Sequence, residues 1–183
     1  MLSHDSPLGL VVVRITEVEA DAGEQDPGSH ARSGRTARTA TMFGPPGRLY
    51  VYFAYGMHWC VNIVCAPEGE ASAVLLRAGE VVVGHDLART RRPTARRDHD
   101  LARGPAGLAR ALGLGRDHDG TDVCADGPVA LRHEEPLAPA AVRTGPRVGV
   151  AGPGGDPVAH PWRFWSDGEP SVSRYRAAVP RRR

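Results

Sequence analysis

The sequence contains no lysine; all 23 of its basic side chains are arginine. Chemistry that runs through a Schiff base on a side-chain amine is therefore excluded, leaving only the N-terminal amine for such a role. A GC-rich genome is the plainer origin of this usage, and the chemical consequence is the same. Cysteine is scarce too. Cys60, Cys65 and Cys124 form no CxxC pair, and no His-Glu-x-x-His run accompanies them, so neither a disulfide framework nor a zinc site is expected. His58 stands two before Cys60 without further ligands nearby. The Asp-His-Asp triplets at 98–100 and 117–119 read as solvated loop. No metal and no cofactor are expected. No apolar run is long enough to span a membrane, and no basic segment leads into an apolar stretch with a cleavage site, so the expectation is a cytoplasmic protein with no membrane partner.

Acidic side chains are missing from one window: residues 27–67 contain no Asp or Glu. Aromatics are few at 5%, yet half of them fall within Leu49-Tyr-Val-Tyr-Phe-Ala-Tyr-Gly-Met-His-Trp59, inside that window. Tyr50 to Ala54 and Trp59 to Val64 read as strands by propensity, which makes Tyr55-Gly-Met-His58 the bend of a hairpin, with Gly56 supplying the backbone freedom. Most of these rings fit ordinary core packing. Tyr55 and Met57 differ, because a side chain at a hairpin tip has no core to enter. Apolar wedges on a positive surface are the parts a protein needs to enter a nucleic-acid base stack.

The 22 glycines and 16 prolines point away from a helical bundle and towards a loop-rich β or α+β fold, and 183 residues suit one domain. Net charge is only +2, but arginine is clustered: Arg32, Arg35, Arg38 and Arg48; then Arg89, Arg91, Arg92, Arg96 and Arg97; then Arg174, Arg176 and Arg181 to Arg183. Such clusters suit a phosphate-facing side, and the last equally suits a solubilising tail. Upstream, Val11-Val-Val-Arg-Ile-Thr-Glu-Val-Glu-Ala20 reads as a strand whose alternation puts Ile15, Glu17 and Glu19 on one face and Thr16 and Val18 on the other. Two carboxylates on one face are either a candidate acid/base pair or a solvated strand surface.

Taken in order, Ile15-Thr-Glu-Val-Glu-Ala20, Ser29-His-Ala31, Met42-Phe-Gly-Pro-Pro-Gly47, Leu49-Tyr-Val-Tyr52, Tyr55-Gly-Met57, Asn62 and Ala73-Val-Leu-Leu-Arg-Ala78 closely resemble the alkyladenine (3-methyladenine) DNA glycosylase family. Later stretches that begin at Arg103, Gly145 and Pro161 resemble it too, so the likeness covers about residues 11–173 of a single domain, with a basic tail at 174–183. The resemblance implies an α+β fold: a curved, mainly antiparallel sheet, partly an open barrel, with peripheral helices and a DNA-inserting hairpin. It implies flipping of an alkylated or deaminated purine from double-stranded DNA and hydrolysis of its N-glycosidic bond, with no strand cleavage through an amine. Hypoxanthine, ethenoadenine and 3-methyladenine are the class of base.

By position, the resemblance makes Glu19 the base that activates water and Arg77 the arginine that helps hold it, with Val172 offering a backbone carbonyl. Tyr55 and Met57 become the wedge, His30 and Tyr52 line the base pocket, and Asn62 opposes the exocyclic amine of guanine. A monomer is expected, at the nucleoid, with enzymes that act on abasic sites downstream. Two departures stand out. Asp21 occupies the position of a tyrosine that stacks on the flipped base, and residues 1–10 are shorter than the family's leading segment, implying an upstream start or a missing edge of the sheet. The alternatives are a binder of distorted DNA that does not cut and a β-rich domain with a protein partner.

Overall fold

A computed structural model of the protein describes residues 1–178; Arg181, Arg182 and Arg183 of the expected basic tail lie outside the described residues. Eight strands form one curled antiparallel sheet, a half-barrel: β1 (Leu2–Ser6), β2 (Gly9–Asp21), β3 (Leu49–Ala54), β4 (His58–Val64), β5 (Ala73–Val83), β6 (Val129–Leu131), β7 (Val142–Gly145) and β8 (Arg163–Ser166). The main path runs β3-β4-β5-β2-β1-β6. On the edge of β2 away from β5, β1 pairs with the first half and β8 with residues 17–19. The short leading segment forms β1, an interior strand between β2 and β6, so the edge here is β6.

Two helices pack beside the sheet, α1 (His85–Arg91) and α2 (Pro105–Leu112). Pro105 opens α2, where a missing N–H costs nothing, and Gly113 at φ 73° closes it with its N–H on the Ala109 and Arg110 carbonyls. Leu108, Ala109 and Leu112 join Val11, Val13, Val61 and Leu76 in the main core. A smaller core of Met42, Phe43, Tyr50 and Val64 lies on the other side of β3 and β4. No helix among the described residues is long and apolar enough to cross a membrane.

The expected alternation along β2 does not survive to its end. Ile15 pairs Gly79 and Glu17 pairs Ala78, leaving Thr16 as a bulged extra residue; Glu17 then pairs Ala78 while Val18 pairs Leu76, leaving Arg77 as the extra residue of β5. One inserted residue reverses the parity of a strand. Val11 and Val13 belong to the main core, with Ile15 before the bulge and Val18 after it packed against that core, so Ile15 does not share a face with Glu17 and Glu19 as the simple period predicts. The bulge therefore turns the second half of β2 outwards from core to cavity.

The arginine cluster after β5 is divided: Arg96 and Arg97 are exposed, whereas the other three are engaged within the protein. Arg91 donates to the Ala111 carbonyl and Ser6 Oγ, Arg92 to the Leu101 carbonyl, and Arg89 pairs with Asp98. In the triplets read as solvated, Asp98, Asp117 and Asp119 are exposed, and Asp119 also ties loop to sheet by accepting from the Val51 N–H and Thr41 Oγ1, each at 2.8 Å.

Candidate active site

Where β2 emerges past its bulge, a cavity of about 670 Å³ opens, lined by Glu19, Asp21, His30, Tyr52, Asn62 and Arg77, with Tyr55 at its edge and residues 147–151 across from β2. The two carboxylates of β2 have separate fates. Glu17, 1% exposed, accepts from Arg77 Nε at 2.9 Å, Arg163 Nε at 2.6 Å, the Ser173 N–H at 2.7 Å and Ser173 Oγ at 2.9 Å. Burial pushes its carboxyl up, but Arg77, the Ser173 N–H and Arg163 together outweigh that and hold it below the ordinary carboxylate range. It is a buried hub whose environment favours the charged form, and not a solvated residue.

Glu19 is 4% exposed and meets fewer donors: Arg77 Nη1 at 3.3 Å and the Val148 N–H at 2.7 Å. Burial raises its pKa, with Arg77 and the Val148 N–H offsetting only part of the effect and Glu17 adding to it. Arg77 thus bridges a saturated carboxylate and an under-satisfied one, and its Nη2 reaches Ser173 Oγ at 3.3 Å. A carboxylate with spare lone pairs and a raised pKa at the wall of a cavity is equipped to take a proton from water.

The aromatic wall stands opposite. Ser29 caps the 3₁₀ turn His30–Ser33 by accepting from the Ala31 N–H at 2.9 Å, which brings the His30 ring edge-on to Tyr52 with centroids 4.5 Å apart and planes at 86°. Burial lowers the His30 pKa and the charge of Arg38 lowers it further, favouring the neutral ring. Burial likewise pushes the Tyr52 phenol up, with Cys60 adding to the shift, so it remains a proton donor. Asn62 sits beneath, its Nδ2 donating to the Tyr50 carbonyl at 3.0 Å, which leaves Oδ1 as the amide's spare acceptor.

Asp21 lies on the same wall. Its Oδ1 accepts from the Gly23 N–H at 2.8 Å, and burial raises its pKa against the pull of Ser29 and Gly23. The cavity therefore has a carboxyl group where the resemblance anticipates an aromatic platform.

At the hairpin tip, Tyr55 (φ 52°) and Gly56 (φ 67°) both take left-handed backbone, and the Met57 N–H closes the turn on the Ala54 carbonyl at 3.1 Å. A tyrosine seldom adopts positive φ, so its ring is held outwards at some backbone cost. Tyr55 is 87% and Met57 62% exposed. Tyr55 borders the main cavity, whereas Met57 borders a second one of about 320 Å³ with Trp59 and Arg110, so the hairpin stands as a wall between the two.

The fold brings together Glu19, Arg77, His30, Tyr52, Asn62 and Tyr55 around one cavity. Val172 is not among the residues that line it; its N–H donates to the Glu169 carbonyl, and the next residue, Ser173, makes the contacts to Glu17 and Arg77. Sequence reasoning had no role for Arg147, Val148, Arg163 or Ser173. Their only signal was the Gly-Pro-Arg-Val-Gly-Val stretch and the arginine after Trp162, each far along the chain from Glu19.

Comparison with known proteins shows the family. Residues 1–170 match the family model described as methylpurine-DNA glycosylase. A protein of Streptomyces avermitilis is 59% identical over 185 residues, covering 100% of this chain and 85% of that one. A protein of Leifsonia xyli subsp. xyli is 55% identical over 181 residues, covering 96% and 83%, and one of Nocardia farcinica is 52% identical over 176 residues, covering 92% and 80%. All three bear the name "Putative 3-methyladenine DNA glycosylase".

Proposed function

The chain belongs to the methylpurine-DNA glycosylase family, and from that premise we propose that it is a DNA-repair hydrolase that excises damaged purines. The observation that carries the reading is Glu19, buried beside Arg77 and the Val148 N–H at the wall of a cavity whose other side is Tyr52 and His30. A cavity of about 670 Å³ has room for a purine nucleotide and a water.

Tyr55 enters the duplex and fills the place of the everted nucleotide, with Met57 beside it. Eversion costs a few kcal/mol, least for a damaged or mispaired base, so selection begins before chemistry. In the cavity the base stacks on Tyr52 and meets the His30 ring, while Asn62 crowds the exocyclic amine of a normal guanine. Glu19 takes a proton from water as the water oxygen bonds to C1′. The glycosidic C–N bond breaks and its electron pair leaves with the purine. A cationic alkylated base departs neutral without further help, and a neutral base must acquire a proton. The carboxylate also stabilises the oxocarbenium-like charge on the sugar. Without lysine the mechanism has no side-chain amine for strand cleavage, so the product is a free base and an abasic site for downstream enzymes. Arg32, Arg35 and Arg38, exposed in the acid-free loop, supply the phosphate contacts. The protein acts as a cytoplasmic, nucleoid-associated monomer in this reading.

The test is release of base from duplexes carrying hypoxanthine, ethenoadenine or 3-methyladenine. Release that disappears in Glu19→Gln supports the reading; a borohydride-trapped protein–DNA adduct would refute its water mechanism. Asp21 favours a second reading, a binder of damaged DNA that turns over poorly, because a carboxyl group lines the cavity where the resemblance anticipates an aromatic platform. Tight, salt-sensitive binding without release would decide for that one.

A further inference from the structure

Arg147 makes more contacts than a fold-stabilising ion pair requires. Its guanidinium is 3% exposed and lies over the Trp162 ring at 5.2 Å. Nη1 donates to Asp26 Oδ2 and to the Ala20 carbonyl at 3.0 Å; Nη2 donates to Asp26 Oδ1 at 2.7 Å and to the Gly154 carbonyl at 2.9 Å. One side chain thereby joins three separate segments: β2 at the residue after Glu19, the loop at 26, and the turn at 152–155. The seat has no slack. A Cβ on Gly28 would lie 2.5 Å from Arg147 Nη2, and one on Gly154 would lie 2.4 Å from the Gly28 nitrogen.

The next residue along is Val148, whose N–H is the shorter of the two donors that hold the Glu19 carboxylate. A buried ion pair is a weak source of net stability, since an apolar pair of the same volume often does as well. What the fork of an arginine supplies is direction: four bonds in one plane fix where the following peptide points. We infer that Arg147 and Asp26 are positioning residues for Glu19, acting through the Val148 N–H to orient the carboxylate on the attacking water. This inference rests on the glycosylase reading above.

The groups facing Glu19 are Arg77 on β5, Glu17 on its own strand, Tyr52 on β3, Cys60 on β4 and Arg147 itself, whose charge also lowers the Glu19 pKa directly, with Asp21, His30 and Arg176 further around the cavity. All remain in place in the decisive variant, Val148→Pro. Val148 precedes Gly149 at φ 72°, the pattern of a type II turn, whose first central position accepts proline. The substitution deletes the single N–H and removes no side chain of the clamp. A hydrogen bond to the charged form lowers a carboxyl pKa, so its loss moves the acid limb of single-turnover base release up by about one pH unit, a fall of about tenfold at any pH below the limb.

The reporter is whichever of the hypoxanthine, ethenoadenine and 3-methyladenine duplexes the parent protein cleaves fastest. Val148→Pro and Arg147→Met are both expected to shift the limb upwards with little change in affinity for the damaged duplex. Arg147→Lys, which keeps the charge but not the four-bond fork, is expected to fall between Arg147→Met and the parent. Limbs that coincide with that of the parent in Val148→Pro and Arg147→Met, with rates falling only as melting temperature falls, would overturn the inference and leave the glycosylase reading standing. No release by the parent from any of the three duplexes would overturn both.

Discussion

Replacing Tyr55 by alanine separates insertion from attraction. The ring is 87% exposed and touches no core, so its loss should leave stability within about 0.5 kcal/mol of the parent. Alanine at φ 52° is no more strained than tyrosine there, so the turn persists. In the complex the ring replaces the stacking that the everted nucleotide gives up, worth about 1–3 kcal/mol. At about 1.4 kcal/mol per factor of ten, the flipped state should lose roughly 5- to 150-fold in population. Arginine–phosphate contacts do not involve the tip, so affinity for an undamaged duplex should stay nearly constant and keep its salt slope. Ethenoadenine fluorescence, quenched in the stack and recovered on eversion, reads the first quantity; competition by undamaged duplex at several salt concentrations reads the second. Tyr55→Phe, which keeps the ring, should behave like the parent. Equal losses of Tyr55→Ala on damaged and undamaged duplexes would refute insertion and return the tip to being one more nonspecific contact.

Three further outcomes follow from the carboxylates. Burial raises the Glu19 pKa, and the base must be ionised, so single-turnover release should fall with decreasing pH through a limb above the ordinary glutamate value, measured on the fastest-cleaved duplex; a limb at or below that value would contradict the role. Asp21 is also raised by burial: its charge costs stability above its folded pKa and costs nothing well below the unfolded one. Asp21→Asn, which keeps an acceptor for the Gly23 N–H, should melt higher than the parent at neutral pH, with the gap closing as pH falls below about 4. Glu17→Gln removes charge from a hub of two buried arginines, and a loss of about 3–5 kcal/mol, or on the order of 10 °C in melting temperature, is expected by thermal unfolding; a small change would mean that water reaches the cluster.

The hairpin was legible because its determinants are local: alternating aromatic and β-branched residues, a glycine at the bend, and nothing acidic to pull the tip back. The curled antiparallel sheet and its peripheral helices were anticipated from the family resemblance and not from such local signals. The faces of β2 were not legible, because the bulge at Thr16 is set by what pairs with it, and Arg77 on β5 lies 60 residues from the Glu17 that receives its Nε. Read at period two, the strand puts Ile15 with the carboxylates; only the inserted residue sends Ile15 to the core and Glu19 to the cavity. The same limit hid Ser173, whose N–H and hydroxyl reach Glu17 across 156 residues of sequence.

What the period of a strand cannot carry, then, is which carboxylate is saturated. Glu17 and Glu19 are the same residue type two apart, yet one accepts four bonds and the other two, and the difference comes from where β8, the 147–150 turn and Ser173 arrive. Saturation makes Glu17 inert and lends Arg77 a fixed anchor. Under-saturation leaves Glu19 with lone pairs and a raised pKa beside a cavity. The pair therefore divides by environment alone, one carboxylate holding the arginine and the other left with acceptor capacity facing the cavity. The division predicts its own converse: removing donors from Glu17 should disturb the fold, whereas adding one to Glu19 should lower its pKa and its strength as a base without disturbing the fold at all.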